Sequence, residues 1–233
     1  MTPPERYRSC PGAVSGDAAD LFAAIAAPAP AREQLRDGAL VLRGFASTSS
    51  AALLQALEGV LSAAPLRHMV TPGGFRMSVS MSNCGALGWV SDRRGYRYDA
   101  TDPQSGQRWP PMPATFARLA EDSARDAGYV SFDPDACLIN FYRPGARLTL
   151  HQDRNEQDFT QPIVSVSLGL PARFQFGGRK RSDRPLLVPL QHGDVVVWGG
   201  PARLCHHGVL QLRDGFHAET GACRVNLTFR RAG

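Results

Sequence analysis

The sequence predicts a mainly β domain, a sandwich or jelly roll with flanking helices, and three observations lead there. Short apolar segments of strand length recur at regular spacing through the second half of the chain, turn pairs rich in glycine and proline separate them, and a helical period stands out in only two places. Composition allows such a core: of 233 residues, 43% are hydrophobic and 20% charged, as in globular chains and unlike disordered or fibrous ones. The length fits one domain.

Taken in order, residues 1–38 are rich in alanine and proline and read as an irregular N-terminal lead-in with a short helix around 20–26. Residues 40–45 read as a strand. Leu53, Leu57 and Val60 follow Ser49-Ser50 at the spacing of an amphipathic helix, which Pro65 ends. Phe75, Met77, Val79 and Met81 alternate with Arg76, Ser78 and Ser80, the period of two of a strand with one buried face. The stretch 88–113 sets Tyr96, Tyr98 and Trp109 among polar residues and prolines with little periodicity, so it reads as a functional loop region or lid. A second helix is expected over 115–127, with Phe116, Leu119 and Ala120 on one side and Gly128 as its stop. Strands follow at 137–142, 147–151, 163–168, 173–176, 186–190, 194–198, 207–212 and 224–229, punctuated by pairs such as Pro144-Gly145, Gly177-Gly178 and Gly199-Gly200.

No apolar run approaches the roughly 18 residues that span a bilayer, and the opening Met-Thr-Pro-Pro-Glu-Arg has no signal-peptide pattern, so a cytoplasmic location is expected. Five cysteines without a C-x-x-C fit neither a disulfide framework nor a zinc ribbon, and free thiols are the expectation. The formal charge of +5 permits a polyanionic partner without demanding one. Lys180 is the sole lysine among 26 basic residues, a bias that GC-rich coding explains, so each arginine has to be argued by position.

His151-Gln152-Asp153 is the first motif with chemistry in it. Residues i and i+2 of a strand share a face and can converge on one ion, and a third ligand is available at His206 or His207. Two imidazoles and a carboxylate make the facial triad of non-haem Fe(II) oxygenases, although an isolated H-x-D is common by chance. Further along, Arg224, Asn226, Thr228 and Arg230 share one strand face and Val225, Leu227 and Phe229 the other. Two guanidinium groups at the ends of such a face can cradle a dicarboxylate, the alternative being a solvated, arginine-rich strand. Asn140 and Tyr142 show the same alternation, and together these sets suggest one polar pocket inside a β shell.

The combination of His151-x-Asp153, a distant histidine and R-x-N-x-T-x-R resembles the AlkB family of Fe(II)/2-oxoglutarate-dependent dioxygenases. Matching segments include Val70-Thr71-Pro72-Gly73-Gly74, Asn83-Cys84-Gly85, the run from Pro134 to Asn140, the run from Ile163 to Pro171 and the run from Gly193 to Gly200. The resemblance extends from about residue 36 to the end. It implies a double-stranded β-helix (jelly-roll) core over residues 39–233 with a nucleotide-recognition lid around 66–113. It implies iron held by His151, Asp153 and His207, the last chosen over His206 because the family's ligand directly precedes a glycine, here Gly208. It implies 2-oxoglutarate held by Asn140, Tyr142, Arg224, Asn226 and Arg230, with Arg224 on the distal carboxylate and Arg230 near the iron, or the reverse.

The family's chemistry is oxidative demethylation: with dioxygen, 2-oxoglutarate is converted to succinate and carbon dioxide, and an N-methyl group leaves as formaldehyde. The implied partner is alkylated single-stranded DNA, with lesions of the 1-methyladenine and 3-methylcytosine type, RNA being a second candidate, and the implied enzyme is a monomer. Trp89, Tyr96, Asn155 and Arg181 match positions around the methylated base and its backbone, a core role being the competing reading for Trp89. Asn155 stands where bacterial members of the family carry an acidic residue, so it can hydrogen-bond the base without adding charge. Rival readings are the same chemistry on an RNA base or a protein side chain, a non-catalytic nucleic-acid-binding relative, and a jelly roll with a structural metal.

Overall fold

Period-two alternation along the strands sorts side chains onto two faces of one large sheet. In the computed structural model, which describes residues 31–233, β1 (Arg32–Arg36), β2 (Ala39–Leu42), β3 (Ser80–Gly85), β6 (Ala136–Tyr142), β8 (Ile163–Gly169), β11 (Val195–Trp198) and β13 (Arg224–Arg230) form a seven-stranded sheet in the order β1-β2-β11-β8-β13-β6-β3. A four-stranded sheet, β10-β9-β12-β7, faces it, built from β7 (Leu148–His151), β9 (Ala172–Phe176), β10 (Leu186–Leu190) and β12 (His207–Val209). Every pairing in both sheets is antiparallel.

Helices α1 (Ser50–Ala63) and α2 (Ala114–Asp126) cover the outer face of the large sheet. Leu53, Leu57, Val60, Phe116 and Leu119 pack there against Val195, Val197, Val225, Leu227 and Phe229. Leu53 and Leu57 are almost completely buried, so truncating either to alanine should cost about 2–5 kcal/mol. The inner face turns Val196 and Trp198 toward Phe174, Phe176 and Val188 of the small sheet. Toward the strands at the other side of the sandwich, the same inner face carries polar residues instead, and that change opens the cavity described below. No helix among the described residues is long and apolar enough to cross a membrane.

The two helices and the main strands lie within a few residues of their expected positions, and the departures are local. Residues 32–36, expected within the irregular lead-in, form β1: a hairpin through Asp37-Gly38 pairs them with β2. Gly38 sits at φ +75° with Gly199 O only 2.5 Å from where a Cβ would lie, so this turn requires glycine. The helix expected around 20–26 lies outside the described residues. The alternation from Phe75 to Met81 is real at Val79 and Met81, both buried, but no partner strand runs beside residues 75–79. That segment is held instead by single bridges, Val70 to Arg76 and Arg67 to Met81, and the continuous strand is β3. The expected loop region 88–113 contains a separate hairpin, β4 (Gly88–Asp92) with β5 (Gly95–Asp99). Both faces of β5 are largely half-exposed, so its pattern carries little period-two signal. Of the segment expected at 207–212 only β12 is regular strand, with Leu210 and Leu212 continuing through single backbone bonds to Arg173 and Ala146, and Asp194 falls just outside β11, where its carboxylate accepts from the Gly44 and Gln191 amides. Cys84, Cys137, Cys205 and Cys223 are free thiols, as expected.

Candidate metal and dicarboxylate site

The pairing of β12 with β7 sets His207 directly opposite His151, with ring centroids 4.4 Å apart. Gly208 makes this possible, since a Cβ there would sit 2.7 Å from Leu148 O and force the two strands apart. β7 ends at His151, so Asp153 reaches the histidines from the loop after the strand rather than from a shared strand face as the sequence suggested. Its carboxylate lies 3.7 Å from His151 Nε2 and 3.6 Å from His207 Nε2. These three side chains form the one cluster among the described residues with metal-ligand spacing. His206 is turned away, with Nδ1 at 3.3 Å from Gly178 O.

Both ligand histidines are oriented from behind. Nδ1 of His151 is 2.8 Å from Thr149 O and Nδ1 of His207 is 3.1 Å from Cys205 O. Donation of Nδ1–H to these carbonyls leaves each Nε2 lone pair aimed into the cluster, the tautomer a metal requires. Burial, with the neighbouring His151 ring, pushes His207 down to about 3 against the opposing pull of Asp153, so its imidazole is neutral. Burial alone would raise Asp153, but the Arg230 guanidinium, which also donates to it, outweighs burial and holds the carboxyl below its ordinary range. A neutral imidazole and an ionised carboxylate are the protonation states that bind a cation.

The polar face of β13 runs away from this cluster. Arg230 donates to Asp153 and Arg224 lies at the far end, with Asn226 and Thr228 between them, while the alternate residues pack under the helices. Asn226 donates to Ser165 Oγ at 2.8 Å and accepts from Asn140 at 3.1 Å and Thr228 at 3.0 Å, a network that fixes the floor of the pocket. Arg224 is 1% exposed and has Tyr142 as its cross-strand partner, yet no carboxylate lies within ion-pair reach among the described residues. Its Nη2 donates to Ser167 Oγ at 2.9 Å, and its Nε and Nη1 are buried without partners, as is the Tyr142 hydroxyl. Burial lowers the Arg224 pKa and raises that of Tyr142. A buried cation with two unused donors beside an unused hydroxyl fits a carboxylate at that end of the pocket.

Every residue expected at the site lines one cavity of about 790 Å³: His151, Asp153 and His207; Asn140, Tyr142, Arg224, Asn226 and Arg230; Trp89, Tyr96, Asn155 and Arg181. Trp89 on β4 and Tyr96 on β5 stack at its mouth, centroids 5.7 Å apart and planes 15° off parallel. Trp89 is half-buried and packs on the core while also lining the cavity. Asn155 and Arg181 are exposed, Asn155 with Nδ2 at 3.5 Å from Tyr96 O.

A buried charged network was not foreseen. Glu156 accepts from the Tyr98 hydroxyl at 2.7 Å and lies 3.3 Å from Arg203 and 3.5 Å from Arg230, while Arg203 donates to the Asp153 carbonyl. It ties β5 to the loop that carries Asp153. Tyr98 shares a face of β5 with Tyr96, but nothing in the sequence signals that Glu156 is buried. Ser165 and Ser167, which alternate with Val164, Val166 and Leu168 on β8, carry a readable period-two signal for the same polar face.

Residues 38–230 match the family model described as the 2OG-Fe(II) oxygenase superfamily. The chain is 55% identical over 213 residues to the alpha-ketoglutarate-dependent dioxygenase AlkB of Salmonella typhimurium, covering 91% of this chain and 97% of that one. It is 55% identical over 204 residues to the protein of the same name from Escherichia coli, covering 88% and 94%. Among solved structures, that titled "The structure of OsALKBH1" superposes with a TM-score of 0.76 at 27% identity, covering 86% of this chain and all of that one.

Proposed function

The chain belongs to the 2OG-Fe(II) oxygenase superfamily, and from that premise we propose that it removes N-methyl groups oxidatively from bases of single-stranded nucleic acid, DNA above all, releasing formaldehyde. It is a dioxygenase that depends on Fe(II), 2-oxoglutarate and dioxygen. The observation that carries the residue assignment is the buried, uncompensated Arg224 in the same cavity as the His151, Asp153 and His207 cluster.

In this reading His151, Asp153 and His207 hold the iron. Arg224 and the Tyr142 hydroxyl take the distal carboxylate of 2-oxoglutarate, and Asn140, Asn226 and Arg230 line the way to the metal. When bound, the iron supplies oxidation of the N-methyl carbon, coupled to conversion of 2-oxoglutarate to succinate and carbon dioxide. The chain's own part is placement and exclusion. Arg230 holds the Asp153 carboxylate, the Nδ1 carbonyl partners fix both imidazoles, and the apolar wall of Trp198 and Phe174 beside His207 keeps water from that flank.

At the mouth, Trp89 and Tyr96 offer an aromatic surface for a base taken out of its stack, and Arg181 a charge for the backbone. Residues 66–113 act as the lid over that base. Single-stranded substrate is favoured because extruding a base from a duplex costs a few kcal/mol. In this reading the enzyme works as a monomer in the cytoplasm.

The test is incubation with Fe(II), ascorbate, 2-oxoglutarate and single-stranded oligonucleotides carrying 1-methyladenine or 3-methylcytosine. Loss of the methyl group with formaldehyde release is expected. Succinate formation without any methyl loss would transfer the same chemistry to another substrate class, such as a protein side chain.

A further inference from the structure

A second cavity, of about 500 Å³, lies behind the β9–β10 loop and is lined by Arg36, Arg179, Lys180, Asp37, Asp183 and Cys205 among others. The loop forms a ridge with the two cavities on either side: Arg181 lines the large cavity, and Arg179 and Lys180 line the small one. The ridge is rigid. Asp183 N donates to Lys180 O at 3.0 Å, the Asp183 carboxylate accepts from Lys180 N at 3.0 Å, and that carboxylate packs on Gly178, where a Cβ would be 2.1 Å away. Gln152, inside the metal-binding motif, donates to Leu204 O at 2.6 Å and to Arg179 O at 3.4 Å, which fixes the ridge to the first site.

The charges on the small cavity are unequal in availability. Asp183 is committed to closing the loop, whereas Arg36, Arg179 and Lys180 make no ion pair with any described residue, and Arg36 Nε is buried without a hydrogen-bond partner. Three cations converge on a concave site with one free carboxylate, Asp37, at its edge. We propose that this cavity is a phosphate subsite for the backbone of the strand whose modified base occupies the large cavity, with Arg36 among its donors. The proposal rests on the nucleic-acid reading above. A continuous strand crossing the ridge would place one phosphate at Arg181 and a later one against Arg36, Arg179 and Lys180, which gives the enzyme grip on a strand without reading its sequence.

The experiment compares wild type with Arg36→Gln and with the double variant Arg179→Gln/Lys180→Gln on two methylated substrates, a trinucleotide with the lesion at its centre and an oligonucleotide of about ten nucleotides. On the longer substrate, Arg36→Gln should raise KM by about three- to tenfold with kcat unchanged, and flatten the dependence of log KM on log salt by about one charge. The double variant should act in the same direction. On the trinucleotide all three proteins should be alike. Equal KM and equal salt slopes on the longer substrate would overturn the subsite, as would the same loss on both substrates, because Arg36 would then act through the central site. If wild type demethylates neither substrate, the nucleic-acid reading falls and the subsite with it.

Discussion

Arg230 and Asp153 are joined at one oxygen: Arg230 Nε donates to Asp153 Oδ2 at 2.9 Å and Nη2 donates to the same atom at 2.6 Å. The two guanidinium contacts anchor that oxygen beside the histidines. A lysine keeps the charge but has no fork. Arg230→Lys should therefore weaken metal binding by about 10- to 100-fold while leaving the fold intact, which titration with a spectroscopically visible divalent metal will report.

Arg224 predicts an unusual separation of stability from function. It is a buried cation with no counter-ion among the described residues, so the unliganded protein gains little from it. Arg224→Met should leave the thermal midpoint of the unliganded protein unchanged or higher. It should also abolish the midpoint rise that 2-oxoglutarate gives wild type and raise the KM for 2-oxoglutarate by at least about 30-fold, the lower bound for loss of a buried charge pair. A lower midpoint with an unchanged KM would mean that Arg224 serves the core.

The neighbouring histidines should separate cleanly. His207 faces the cluster and His206 faces Gly178 O. Metal content after reconstitution should fall to background in His207→Ala and stay near wild type in His206→Ala.

Asn155 reaches toward Tyr96 O with its amide, a donation a carboxylate cannot make. Asn155→Asp should loosen Tyr96 from that loop and add negative charge beside the base. Assayed side by side, the ratio of 1-methyladenine to 3-methylcytosine turnover should shift by threefold or more, on the order of 1 kcal/mol of discrimination. An unchanged ratio would remove Asn155 from base selection.

Much of this was legible because period two translates directly into faces. Val225, Leu227 and Phe229 under the helices, with Arg224, Asn226 and Arg230 in the pocket, follow from parity alone. Position in three dimensions was less accessible. Whether His206 or His207 turns inward is set by the register of β12 against β7, which parity within one strand cannot supply. Strand parity accounts for Asp153 only in part, since it lies past the end of its strand. The β4–β5 hairpin escaped notice because its residues are mostly half-exposed, and Glu156 because a buried carboxylate is recognisable only with Tyr98, Arg203 and Arg230 around it.

The most direct test of the whole account is the stoichiometry of products on a methylated single-stranded oligonucleotide. Equal amounts of succinate, formaldehyde and restored base are predicted for wild type, with none of the three from His151→Ala or Asp153→Ala. Succinate in the absence of restored base, or restored base from either variant, would contradict it.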